Sequence, residues 1–154
     1  SMLIFAPHAN SYRRFIPGAH APIVANWGYE NRTVAVRIPE SPNAARRIEH
    51  RVAGADANPY LVLAVILGAA LYGITHKLDA PQETIGDTSE SPLVHQALPT
   101  EWHEAIHGFA NSDVIPEILN DQLVAIFTAI KKQEFAKFKA RVTDAEYETY
   151  LGFL

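Results

Sequence analysis

The sequence has 154 residues, 48% hydrophobic and 19% charged, which is the composition of one soluble globular domain long enough for a real core. It contains no cysteine, and this excludes a disulfide framework and a thiolate metal site. The net charge of −4 hides an asymmetry: residues 1–51 hold seven basic residues, all arginine, against three acidic ones, while the remainder holds six against fourteen.

Ser1-Met2 reads as a cloning remnant, which leaves residues 3–154 as the domain. Leu3–Pro22 has Pro7, Pro17, Gly18 and Pro22 and no helical period, so a structured loop is expected. Ile23–Trp27 and Thr33–Ile38 are rich in Val, Ile, Trp and Thr and flank Gly28–Asn31, the composition of a hairpin turn. After a turn at Pro39–Asn43, Ala45–Val52 reads as a third strand. Alternation along it puts Arg47, Glu49 and Arg51 on one face and Ile48, His50 and Val52 on the other.

Asp56-Ala57-Asn58-Pro59 is a helix start, with Asp or Asn as cap and Pro at the first helical position. The helix is expected from Pro59 to about Leu78. Being apolar on nearly all sides, it predicts burial against the sheet, with Gly68, Ala69 and Ala70 allowing another backbone to approach. Its apolar run, Leu61–Ile74, is too short to span a bilayer. Asp79–Pro99 is a polar surface loop. Helices follow at Thr100–Ala110, capped by Thr100, and at Asp113–Leu119, opened by Ser112. A long one is expected over Asp121–Arg141, and a last one from the Thr143–Glu146 capping-box pattern to about Leu151. The fold class is therefore α+β: short antiparallel strands within residues 23–52, packed with about five helices. With no signal peptide and no cysteine, a reducing, cytoplasmic setting is the expectation.

Arginine presents a planar fork that matches carboxylate and phosphate, so an arginine-only cluster suggests small-anion recognition. Nucleic acid is the weaker reading, because no helix carries a basic stripe and the second part of the chain is acidic. His103-Glu104-Ala105-Ile106-His107 matches the HExxH zinc-hydrolase pattern, yet no extended motif supplies a third ligand, and an ordinary amphipathic helix explains it as well. Neither a GxxxxGK[ST] loop, a GxGxxG turn nor a GxSxG elbow occurs.

Four stretches in order, Asn10-Ser-Tyr-Arg-Arg-Phe-Ile-Pro-Gly18, Asn31-Arg-Thr-Val-Ala-Val-Arg-Ile-Pro39, Arg47-Ile-Glu-His-Arg51 and Ala55-Asp-Ala-Asn-Pro-Tyr60, resemble the C-terminal part of the glutamine synthetase catalytic domain. The run RIEHRVAGADANPYL is similar in particular to the branch that joins glutamate to polyamines, the gamma-glutamylputrescine synthetases. The resemblance implies roles residue by residue. Arg14 would hold the α-carboxylate of glutamate, and Arg32 would contact glutamate and the phosphoryl group in transfer. Arg37 and Arg47 would contact the phosphates of ATP, Glu49 would bind the Mg²⁺ or Mn²⁺ that bridges them, and Arg51 would steady a γ-glutamyl phosphate. His20 stands where the family carries a glutamate that helps bind ammonium and take its proton. The implied partners are glutamate and an amine, ammonia or a polyamine, in a parent that assembles into a homo-oligomeric ring. The other metal ligands of the family would lie upstream of Leu3, so this stretch alone is expected to be an inactive part of a ligase. A non-catalytic structural relative is the alternative from a different class.

Overall fold

A computed structural model describes residues 2–16, 18–19, 21–88 and 96–153. The elements in chain order are helix α1 (Met2–Phe5), strands β1 (Trp27–Tyr29), β2 (Val36–Ile38) and β3 (Glu49–His50), then helices α2 (Pro59–Thr75), α3 (Trp102–Ala110), α4 (Ile115–Leu119), α5 (Asp121–Lys139) and α6 (Asp144–Tyr150). The α+β class holds: a small three-stranded sheet sits at one end of a helical body.

The loop expected at Leu3–Pro22 instead starts with α1, whose four side chains are buried, and continues in a 3-10 turn over Ala9–Arg14. Met2, set aside in the sequence reading, belongs to that buried helix. Leu3, Ile4 and Phe5 are the centre of the core, together with Phe15, Val52, Trp102, Ile106 and Phe109. Four consecutive apolar residues have no amphipathic period; a short helix wholly inside the core does not need one.

The hairpin is not formed. β1 and β2 pair in parallel, Trp27 opposite Val36 and Tyr29 opposite Ile38, while β2 and β3 pair antiparallel, Arg37 opposite Glu49. A hairpin turn would fold residues 30–35 tightly back; instead Asn31 donates its side-chain amide to the carbonyls of Thr84 (3.1 Å) and Gly86 (2.8 Å). The connection is thereby stitched to the polar loop and returns to the start of the sheet. Asn26 completes the seam: its Oδ1 accepts from the Ala35 N–H at 3.0 Å and its Nδ2 donates to Thr84 and Thr88, each at 3.2 Å. The third strand is shorter than Ala45–Val52, because a 3-10 turn takes Asn43–Ala45 and only Glu49–His50 pairs regularly.

α2 is capped by Asn58, whose Oδ1 accepts from the N–H groups of Tyr60 and Leu61, with Pro59 at the first position. It packs against α1 and α4, and Gly68 lets Ile118 approach where a Cβ would collide. The expected burial on all sides is not realised. Val65 is its one buried residue, whereas Leu63, Leu67, Leu71 and Ile74 are more than half exposed. An all-apolar helix states that it wants partners, not that this stretch of chain contains them. α3 begins at Trp102 with Glu101 before it, so Thr100 does not cap it. Trp102 meets Phe135 and Phe109 meets Phe127 across the α3–α5 seam. On α5 the buried positions are Val124, Thr128 and Lys131, while Ile126, Ile130 and Phe138 are about half exposed. α6 opens with the predicted Thr143–Glu146 capping box. Among the described residues no helix is long and apolar enough to cross a membrane.

Candidate active site

The site grows from the two ends of the charged sequence. Arg14 is the last residue of the 3-10 turn, where its guanidinium lies 5.0 Å over the Phe15 ring and donates to the Arg51 carbonyl at 3.0 Å. Ser11, inside the same turn, donates its hydroxyl to Asp56 at 2.5 Å. The turn is thus clamped to the segment that follows β3. Gly54 makes the close approach possible: a Cβ there would collide with the Asp56 carboxylate and crowd Arg14 at 3.1 Å.

β3 supplies the other side. The antiparallel register puts Glu49 directly opposite Arg37, and the Arg37 Nη1 donates to Glu49 Oε2 at 2.9 Å. Arg47, just before the strand, donates to the other oxygen, Oε1, at 3.2 Å. The two arginines differ in freedom: the Arg37 side chain is 13% exposed, that of Arg47 is 56%. Arg37 first, and Arg47 after it, hold the Glu49 carboxyl below the usual carboxylate range. Arg37 also reaches Glu30 Oε2 with Nη2 at 2.8 Å, so both outer nitrogens of this half-buried fork are taken by carboxylates.

Arg14, Glu49 and Arg51 line one open cleft of about 490 Å³, with Ala19, Ala21, His50 and Ala53 completing its wall. Two guanidinium groups and one carboxylate facing a common space suit an anion, with a cation beside it. A larger cleft of about 710 Å³ lies between the 3-10 turn, α3 and α5, lined by Tyr12, Trp102, Phe135 and Phe138, and holds none of the predicted residues. Arg32 is exposed on the loop between β1 and β2, near Glu30. His20 lies outside the described residues.

Glu49 fits one ligand position of a hard divalent cation. Among the described residues its Oε1 is bonded only by the exposed Arg47, and its Oε2 is fixed by Arg37. Among the described residues no group of three or more His, Cys, Asp or Glu side chains gathers that could hold an ion unaided. The HExxH residues His103, Glu104 and His107 are all exposed on α3 with no such third ligand near them.

Beyond the predicted set, the structure adds Glu30, Ser11 and Asp56. Ser11 and Asp56 lie inside stretches that carried the resemblance, but Glu30 had only the look of a turn residue.

The catalytic-domain family described as glutamine synthetase matches residues 1–150. The chain belongs to the glutamine synthetase catalytic-domain family. It is 39% identical to the gamma-glutamylputrescine synthetase PuuA of Escherichia coli K12 over 151 residues, covering 98% of this chain and 32% of that protein. It is 38% identical to the gamma-glutamylethanolamide synthetase GlnA4 of Streptomyces coelicolor, covering 94% and 30%, and 34% identical to a glutamate–isopropylamine ligase of a Pseudomonas species, covering 98% and 33%. The solved structure of apo GmaS without ligand superimposes with a TM-score of 0.82 at 32% identity, over 97% of this chain and 34% of that one. The chain therefore spans about a third of the length of the relatives it matches.

Proposed function

We propose that this chain forms the anion-holding part of an ATP-dependent glutamate–amine ligase. One observation carries the reading: in a member of this family, Arg14, Glu49 and Arg51 converge on a single cleft, with Arg37 and Arg47 bonded to the Glu49 carboxylate. In the reaction, a γ-carboxylate oxygen of glutamate attacks the terminal phosphorus of ATP and ADP leaves. The amine then attacks the acyl carbon of the γ-glutamyl phosphate, loses a proton, and phosphate departs with the former carboxylate oxygen. Arg14 binds the α-carboxylate of glutamate, Arg32 meets the moving phosphoryl group, and Arg51 offers its fork to the acyl phosphate, where charge accumulates. Arg47 turns from Glu49 to the nucleotide phosphates. A divalent cation, Mg²⁺ or Mn²⁺, would neutralise phosphate charge when bound, and Glu49 is the residue that would hold it. Arg37 stays between Glu30 and Glu49 and keeps the Glu49 oxygen pair oriented.

The acceptor is an alkyl amine in preference to ammonium. Three relatives take their names from putrescine, ethanolamine and isopropylamine products or substrates. A histidine at position 20 lacks the negative charge with which a carboxylate attracts ammonium and takes its proton. A longer amine gains roughly 0.8 kcal/mol for each methylene it buries. The test is kcat/KM for ammonium, putrescine, ethanolamine and isopropylamine, read as glutamate-dependent ADP release by the longer protein that carries this chain. An alkyl amine should win, and His20→Glu should move selectivity toward ammonium. Ammonium winning in the unmodified protein would remove the amine assignment and leave a glutamine-forming enzyme.

A further inference from the structure

Glu30 has no role in the reading above, yet its position is unusually determined. It ends β1 in the left-handed region, φ 48°, which a non-glycine residue adopts rarely. Lys77 and Asn120 share that backbone state, but both lie at helix ends away from the cleft. At Glu30 the backbone N–H donates to the Ile38 carbonyl at 3.1 Å, Oε1 accepts from the Glu40 N–H, and Oε2 accepts from Arg37 at 2.8 Å. One residue thus ties the end of β1 to β2, to the turn after it, and to the arginine that meets Glu49. Strained backbone next to functional groups is kept where its consequences are used.

We propose that Glu30 is a positioning residue for the metal-binding carboxylate, acting through Arg37. An arginine with one carboxylate partner can rotate about it, or close its whole fork on both oxygens. With Nη2 fixed by Glu30, Arg37 presents only Nη1 to Glu49, bonds Oε2 alone, and leaves Oε1 to the exposed Arg47, which a cation can displace. Without Glu30, the Arg37 fork closes on both Glu49 oxygens and competes with the cation for them. The arrangement also bears on the role that the resemblance gives Arg37: with both outer nitrogens committed to carboxylates, it serves the nucleotide indirectly, by orienting Glu49.

This inference rests on the reading of Glu49 as a metal ligand, and the experiment separates the two. Mn²⁺ is titrated into the proposed ligase with its glutamates isotope-labelled, and paramagnetic broadening of the Glu49 side-chain carbons gives the apparent affinity, including weak affinities. Glu49→Gln should abolish that local broadening. Glu30→Ala should weaken Mn²⁺ binding roughly tenfold, the scale of losing a partner that orients a ligand, and Glu30→Gln, which keeps an acceptor, should fall between. The loss should persist in 0.5 M salt, where the general field of an exposed charge is largely screened. In an Arg37→Met background, Glu30→Ala should have no further effect; if that background does not fold, persistence in salt with the intermediate Gln value decides. Unchanged affinity in Glu30→Ala, a loss that salt erases, or additive losses with Arg37→Met would overturn the positioning role while leaving Glu49 as ligand. Broadening indifferent to Glu49→Gln would overturn the metal assignment, and this inference with it.

Discussion

Arg51 follows His50, the last residue of β3, and the two serve opposite ends of the physics. Arg51 faces the cleft, and lysine there keeps the charge but not the two-pronged geometry. In the ligase proposed above, Arg51→Lys should lower kcat with little change in thermal midpoint, by about 2–4 kcal/mol of transition-state stabilisation. Steady-state kinetics paired with a melting curve checks it; equal kcat would return Arg51 to a purely structural role. His50 leans on the Phe5 ring with centroids 4.1 Å apart, and burial there pushes its imidazole down to about 4. A folded value below the unfolded one means that the unfolded chain binds more protons in between. The stability that neutral His50 contributes is therefore complete above about pH 6.5 and is lost as pH falls toward 4. The ring is only partly sheltered, so the loss is discounted to ~2 kcal/mol. Urea midpoints between pH 7 and 4 should fall in the parent chain and fall less in His50→Val. Parallel curves would mean that other groups carry the acid sensitivity.

Among the elements, α2 shows what a sequence can and cannot announce. Its start was written in Asn58 and Pro59, and its close approach to α4 in Gly68, because caps and small residues act locally, whereas it ends at Thr75, three residues before the expected Leu78. Its partners were not legible, since they depend on what else is packed nearby. Two positions on the same helix should accordingly behave differently in this chain. Val65→Ala should cost about 1–3 kcal/mol by removing buried methyls, while Leu67→Ala, at a position two-thirds exposed, should stay within about 0.5 kcal/mol. Chemical denaturation of the two variants checks the contrast; similar losses would mean that the outer face of α2 is covered in solution. The sheet repeats the lesson. Arg47, Glu49 and Arg51 could be grouped by strand alternation alone, and Glu49 with Arg51 does share the cleft. The parallel pairing of β1 with β2 could not be read, because it depends on Asn26 and Asn31 reaching a loop more than fifty residues away. Glu30 was hidden for the same reason: its partners are set by that register.

At the scale of the whole molecule, one small sheet and one helical turn bring the basic first third of the sequence to a cleft, while the acidic remainder builds the helical body behind it. A single carboxylate beside the guanidinium groups cannot by itself compensate a polyphosphate and hold a metal cluster. The chain alone should therefore show no ATP-dependent amide formation, whichever amine is supplied. The proposed ligase should transfer oxygen in a way that no hydrolase or scaffold does. Glutamate labelled with ¹⁸O in its γ-carboxylate is incubated with ATP, Mg²⁺ and putrescine, and the released phosphate is weighed by mass spectrometry. Formation of a γ-glutamyl phosphate predicts one ¹⁸O in each phosphate, with labelled phosphate appearing correspondingly more slowly in Arg51→Lys. Unlabelled phosphate released alongside the amide would contradict acyl-phosphate chemistry at this cleft.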